Sequence, residues 1–273
     1  GPSPCVACPC VAPLCCIASW KGVLFVVIKA LIDLFYPPRC PFCNELLGPY
    51  RETEADLLET GSGIGISSLQ GLLCRRCANE LPWIEKSCPK CAFPLAEGEN
   101  KCYHCSGRKF SFEFCSALGR YRGKARDALH RFKYQGKKYL AEPLGKLLSK
   151  KIAPEPWISS VDFIVPIPLS RQRLSERGYN QASLLAKVLS RELSLPMEEF
   201  LERVKNTSSQ TGLNRRQRAE NLSRAFSCCR EIPGGSHILL VDDVFTSGAT
   251  ANEASKVLKE SGAARVSVAV LAR

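Results

Sequence analysis

The sequence has 273 residues, of which 45% are hydrophobic and 23% charged, with a formal net charge of +12. These proportions exclude a wholly disordered protein, a collagen-like fibre and a protein of many membrane spans, and the length allows about two domains. The charge points to an acidic partner and is confined to one half. Residues 1–117 hold 11 basic and 11 acidic side chains, whereas residues 118–273 hold 27 and 15. Of the 16 cysteines, all but Cys228 and Cys229 lie at or before Cys115. Two compositions in one chain predict three segments: a Cys/Pro/Ala-rich terminus over 1–22, a cysteine-rich domain over 23–117 and a basic domain over 118–273.

In chain order, Cys5, Cys8, Cys10, Cys15 and Cys16 show no periodicity and are read as part of a frayed terminus. Gly22 to Tyr36 is apolar apart from Lys29 and Asp33. It falls short of the roughly 20 residues a membrane span needs. Pro37-Pro38 follows, where a signal peptide would carry a small-residue cleavage site. Residues 23–35 are therefore expected to form an amphipathic helix packed on the body of the protein, with no transmembrane span.

Four Cys-x-x-Cys units come next: Cys40/Cys43, Cys74/Cys77, Cys88/Cys91 and Cys102/Cys105. Two thiolates separated by two residues can turn back on one metal, and two such knuckles complete a tetrahedral site. Eight ligands make two zinc sites, each with four thiolates and no open position, so both are expected to be structural. Disulfides would need an oxidising compartment, and no export signal is evident. A thioredoxin-type pair needs a strand–helix context that four copies in a row lack, and iron–sulfur ligation uses other spacings. Sequential grouping, Cys40/Cys43 with Cys74/Cys77 and Cys88/Cys91 with Cys102/Cys105, is favoured over nesting the two middle pairs. His104, inside the last knuckle, is read as an exposed side chain. The Gly61–Ser68 stretch reads as a loop insertion.

From 118 onward apolar strands and helices alternate, the pattern of an α/β fold with a parallel sheet. Helices are expected over 124–134, 138–151, 180–194 and 249–260. Strands are expected over 161–166, near 222–229, and over 237–242 and 265–271. Ligands of such sheets bind at the carboxyl ends of the strands. Ile238-Leu-Leu-Val-Asp-Asp-Val-Phe-Thr-Ser-Gly-Ala-Thr250 runs from strand through loop into helix. Asp242 and Asp243 emerge at the strand end, where two carboxylates suit sugar hydroxyls. Thr246, Ser247, Gly248, Ala249 and Thr250 offer hydroxyls, free amides and a helix dipole to a phosphate.

This stretch resembles the phosphoribosyl diphosphate (PRPP) binding motif of type I phosphoribosyltransferases. The resemblance implies that Asp242 and Asp243 hold the ribose hydroxyls as the catalytic pair, that Thr246 to Thr250 bind the 5′-phosphate, and that Mg²⁺ accompanies PRPP. Arg171, Arg173 and Arg177 leave a strand for a helix and are expected to bind pyrophosphate, because a planar fork of donors matches phosphate oxygens. Gln210, Arg215, Arg216, Arg218 and Asn221 lie in a basic loop that resembles the one closing over PRPP.

Paired knuckles ahead of such a domain resemble the ComF family of competence-associated proteins. Leu34-Phe-Tyr-Pro-Pro-Arg-Cys-Pro-Phe-Cys43, Phe132-Lys-Tyr-Gln-Gly136, Arg177-Gly-Tyr-Asn-Gln181, Gln210-Thr-Gly-Leu213 and the PRPP motif carry that likeness in order. Membership implies a type I phosphoribosyltransferase-like parallel sheet behind a small zinc-ribbon domain, in a cytoplasmic protein linked to DNA uptake. It implies no defined reaction. One reading is an enzyme that transfers a phosphoribosyl group to a nitrogen nucleophile. The other is an accessory protein that binds single-stranded nucleic acid or docks a helicase-like partner and keeps a regulatory PRPP site. For the second, residues 118–151 hold 11 basic and 2 acidic side chains, with Tyr121, Phe132, Tyr134 and Tyr139 interleaved for base stacking. The bland account of the same segment is a pair of amphipathic helices with Phe132, Leu140, Leu144, Leu147 and Leu148 in the core.

Overall fold

The computed structural model describes residues 37–47, 71–99, 102–204 and 224–273, together with Phe35 and Leu69. The expectations for Cys5 to Cys16, for the helix over 23–35, for the Gly61–Ser68 loop and for Gln210, Arg215, Arg216, Arg218 and Asn221 lie outside the described residues. The chain divides by compactness into Gly1–Arg39 and Cys40–Arg273. The elements below belong to the second unit.

In chain order they are α1 (Arg75–Glu80), β1 (Phe114–Gly119), α2 (Gly123–Tyr134), α3 (Ala141–Ile152), β2 (Phe163–Pro166), α4 (Arg171–Arg177), α5 (Gln181–Leu193), β3 (Leu201–Arg203), β4 (Phe226–Cys228), β5 (His237–Val244), α6 (Ala249–Glu260) and β6 (Arg265–Ala272). Four parallel strands make the central sheet in the order β1-β6-β5-β2. Helices cover both faces, so the strands are continuous apolar runs rather than alternating ones. Ile238, Leu239, Leu240 and Val241 of β5 are all fully buried. Their side chains still point alternately to the two faces. Leu239 and Val241 pack with Leu129 and Phe132 of α2, Leu144 and Leu148 of α3, and Leu185 and Leu189 of α5. Ile238 and Leu240 pack with Ala251, Ala254 and Leu258 of α6.

One expected strand needs correction. The strand expected near 222–229 is short, Phe226–Cys228, and stands outside the sheet. It pairs antiparallel with β3 in a separate ribbon (Leu201 with Cys228, Arg203 with Phe226). Its outward side chains are polar, and the Ser227 hydroxyl donates to Glu202 Oε1 at 2.8 Å, so it lacks the two apolar faces a sheet interior demands. One edge of the sheet is β1, which begins at Phe114 within the cysteine-rich stretch and pairs with β6. Of the aromatics offered for base stacking, Phe132 is completely buried, and it belongs to the core together with Leu140, Leu144, Leu147 and Leu148.

The cysteines fall on both sides of the sheet. Cys40 and Cys77 join the core on the α2/α3/α5 face. Cys88 and Cys91 join the core on the α6 face.

Candidate functional site

β5 ends in the loop that leads to α6, and the site is built there. Asp242 and Asp243 are opposite in aspect, because consecutive strand residues face opposite sides. Asp243 is buried, and its Oδ1 lies 2.9 Å from Lys133 Nζ, with the two side chains 11% and 16% exposed. Asp242 is half-buried, and its Oδ1 accepts the Asp243 N–H at 2.8 Å. Burial and the neighbouring Asp243 charge push the Asp242 carboxyl up to about 7, against the pull of Lys133 and Arg203. Lys133 loses solvent on burial, yet the Asp243 and Asp242 charges hold its ammonium above the usual lysine value. The two carboxylates are therefore not equivalent: one is neutralised by a buried cation and one faces the loop.

The loop turns on Gly248, whose φ of 81° lies in the left-handed region that favours glycine. A Cβ there would stand 2.5 Å from Phe245 Cζ and 3.1 Å from Phe110 Cε1. Thr246 is exposed, while Ser247, Ala249 and Thr250 are half-buried around the turn. The Ser247 hydroxyl accepts the Ala249 N–H at 3.3 Å. The N-cap of α6, Gly248, brings no side chain to cap the helix, and the first turn holds no acidic residue. By contrast Ser170 caps α4 and Asn180 caps α5. Apart from the Ala249 N–H, which the Ser247 hydroxyl takes, the first-turn amides of α6 are thus left for an external acceptor, with the helix dipole behind them.

The three arginines expected at pyrophosphate are not alike. Arg171 is exposed on α4 and Arg173 half-buried. Arg177 is already engaged: it donates to Gln181 Oε1 at 3.0 Å, and its guanidinium lies 4.8 Å from the Tyr134 ring centre. The segment Arg177–Gln181 meets the segment Phe132–Tyr134 throughout. The Tyr179 hydroxyl donates to the Phe132 carbonyl, and Gln181 Nε2 donates to the Lys133 carbonyl at 3.4 Å. These contacts hold the end of α2 so that Lys133 reaches Asp243.

Two residues at the site escaped sequence reasoning. Lys133 is four residues beyond buried Leu129, on the inward stripe of α2, and a lone cation on such a stripe was the available signal. Arg203, at the end of β3, lies over the Phe226 ring at 5.5 Å. Burial and the Arg173 charge lower its pKa, against the pull of Asp242. Nothing in a three-residue strand announces it.

The eight knuckle cysteines form two groups, Cys40/Cys43/Cys74/Cys77 and Cys88/Cys91/Cys102/Cys105, with the sulfurs of each group within 4.8 Å of one another. The sequential grouping holds. Tetrahedral zinc with Zn–S of about 2.3 Å sets neighbouring sulfurs about 3.8 Å apart. The spacings are 3.5 Å for Cys43–Cys74, 3.6 Å for Cys88–Cys105 and 3.7 Å for Cys91–Cys102. None of the eight is in a disulfide. Burial pushes Cys43 and Cys91 up to about 11, and a dication among the sulfurs would reverse that cost. The donor set therefore fits zinc, and the cysteine-rich segment fits a zinc ribbon. The two groups share their turn: the Asn44 and Ala92 amides donate to the Cys40 and Cys88 carbonyls at 2.9 and 2.8 Å, and Asn44 and Ala92 both have positive φ. His104 is not exposed but half-buried, stacked on Phe93 with ring centres 4.5 Å apart.

Taken together, the strand end and loop can hold a phosphate monoester on amides and hydroxyls and accept hydrogen bonds from a diol at Asp242. Residues 180–273 match the phosphoribosyl transferase domain family. Over 208 residues the chain is 33% identical to "Competence protein F" of Haemophilus influenzae, which covers 74% of this chain and 90% of that protein. It is 30% identical over 206 residues to "DNA utilization protein YhgH" of Escherichia coli, again 74% and 90%. It is 28% identical over 253 residues to "Competence protein ComFC" of Bacillus subtilis, covering 78% and 98%.

Proposed function

Because this chain belongs to the ComF family of competence proteins, we propose that it is a cytoplasmic PRPP-binding protein that serves DNA uptake. Its relatives' names, competence protein and DNA utilization protein, support the process. The observation that carries the ligand is the uncapped start of α6 behind Gly248, at the carboxyl end of a strand that presents Asp242. In this reading Thr246 to Thr250 take the 5′-phosphate, and Asp242 accepts the ribose hydroxyls. Asp243 keeps the acidic pair in place through Lys133. Arg173 and Arg203 face the pyrophosphate; Arg177 acts through Tyr134 and Gln181. Mg²⁺ bound with PRPP would neutralise charge on the pyrophosphate. In a transfer reaction a nitrogen nucleophile forms a bond to the anomeric carbon. The carbon–oxygen bond to pyrophosphate breaks, the leaving group keeps the electron pair, and the nucleophile gives up a proton. The arginines would stabilise the departing charge.

The two cysteine groups each hold a zinc ion in this proposal and act as structural staples. Metal analysis of purified protein is expected to give two zinc ions per chain. Calorimetric titration with PRPP and Mg²⁺ tests the ligand: saturable binding by wild type, weakened in Asp242→Asn, supports it, and no heat above dilution with folded protein removes it.

A second reading, binding of single-stranded nucleic acid, has one observation in its favour. Tyr134 and Tyr139 are 60% and 56% exposed, with Lys137 and Lys138 between them. Affinity for single-stranded DNA that falls steeply with salt, and falls again in Tyr134→Ala, would support that surface. Salt-independent affinity would remove it.

A further inference from the structure

The loop that follows β5 is held from the side away from α6's first turn. Arg273, just past β6, donates from Nη1 to the Thr246 carbonyl at 2.8 Å and to the Phe245 carbonyl at 3.3 Å. Its Nε donates to the Cys91 carbonyl at 2.8 Å. Its guanidinium also stacks over Phe245 at 5.1 Å. Arg108, three residues beyond Cys105, donates from Nη1 to the Ser247 carbonyl at 3.3 Å. Three successive loop carbonyls are thus bound by two guanidinium groups, one anchored to the second cysteine group and one leaving it.

Peptide geometry gives this a consequence. Across a planar trans peptide the carbonyl of one residue and the N–H of the next point in opposite directions. Holding the Phe245, Thr246 and Ser247 carbonyls toward the cysteine segment therefore turns the Thr246, Ser247 and Gly248 N–H groups away from it. A cation on each carbonyl also polarises the amide it belongs to, which strengthens the opposite N–H as a donor. The first cysteine group has different ties. Arg131 of α2 donates to the Pro41 and Phe42 carbonyls at 2.8 and 2.7 Å, and Lys124 of α2 lies 3.9 Å from Cys77 Sγ.

We propose that Arg273 and Arg108 are positioning residues that latch the Thr246–Thr250 loop onto the second cysteine group, aiming its amides at the ligand's phosphate and tying ligand affinity to that group's metal. The proposal rests on the reading of this loop as a PRPP site and goes beyond it. It makes the second metal site a determinant of ligand binding, although no ligand atom touches it.

The test uses the full-length, metal-loaded protein with Arg273→Ala, Arg273→Lys and Arg108→Ala. Hydrogen exchange at Phe245 and Ala249, whose N–H groups donate to the Ala272 carbonyl and the Ser247 hydroxyl, reads the latch without any ligand. Arg273→Ala is expected to keep its zinc content while exchange there rises about tenfold, the size expected for losing charge-assisted hydrogen bonds. Arg273→Lys, which keeps the charge but not the fork, is expected to fall between. PRPP–Mg²⁺ affinity is expected to drop about tenfold in step. Because coupling is reciprocal, saturating PRPP is expected to raise the chelator concentration needed to remove one zinc ion at equilibrium in wild type and not in Arg273→Ala. Unchanged exchange in Arg273→Ala overturns the latch. Raised exchange with unchanged PRPP affinity overturns its positioning role. If wild type binds no PRPP, the PRPP reading fails along with the ligand half of the proposal, and loop exchange alone still decides the latch. Should Arg273→Ala not fold, Arg108→Ala removes only the Ser247 bond and decides by the same exchange readout.

Discussion

Lys133 and Asp243 come from elements 110 residues apart in sequence and meet as a nearly buried ion pair. Breaking such a pair costs more than removing both charges, because one charge is left buried without its partner. Lys133→Ala is therefore expected to destabilise the fold by about 3 kcal/mol. Lys133→Ala with Asp243→Asn should cost less, as read from denaturant midpoints. Asp242 behaves differently. With its carboxyl pushed up to about 7 by burial and by Asp243, it gains its charge only as pH rises through that value. The charged form is the better acceptor for a sugar hydroxyl. PRPP affinity is expected to rise between pH 6 and pH 8, and the rise should be smaller in Asp242→Asn, which cannot ionise. Calorimetry at several pH values checks this, with the variant subtracting the ligand's own titration. The run Asp242–Thr250 was legible in the sequence because one stretch carries strand, turn and helix start. Lys133 and Arg203 were not, because only the folded chain brings them to Asp242.

At the scale of elements, α3 and α5 approach closely at one point. A Cβ on Gly145 would stand 2.6 Å from Val188 Cβ. Gly145→Ala should therefore destabilise by about 1–3 kcal/mol through overpacking. Adding Val188→Ala should restore part of that loss, as measured by thermal unfolding, and no restoration would mean that the approach is not what matters. The contact lies on the face that carries Lys133, so loosening it should also weaken the Lys133–Asp243 pair. Helix α6 was read from the sequence with its observed bounds, since Gly248 and Gly262 bracket it and both adopt positive φ. Strand β1 was not. Phe114-Cys-Ser-Ala-Leu-Gly119 has no β-branched residue, and its burial comes from β6 rather than from its own pattern. The β3–β4 ribbon was misjudged for a related reason: three residues carry too little periodicity to tell a ribbon from a sheet.

On the scale of the whole molecule, the cysteine groups staple opposite faces of one sheet. The first grips α2, which bears Lys133, and the second grips the loop ahead of α6. Structural zinc sites contribute folding free energy directly. Stripping both metals under mild denaturant is expected to lower the unfolding midpoint sharply, and re-addition of zinc to restore it. A stripped protein with an unchanged midpoint would show the cysteines to be idle. Each strand of the sheet also depends on when it is made. β6 is the last of the four sheet strands in chain order, yet it lies between β1 and β5 and hydrogen-bonds both. Until it is added, β1 has no neighbour in the sheet, and the second cysteine group lacks the bond from Arg273 to the Cys91 carbonyl. A chain stopped before Arg265 would leave β1 and β5 each with a row of unpaired backbone groups facing the gap.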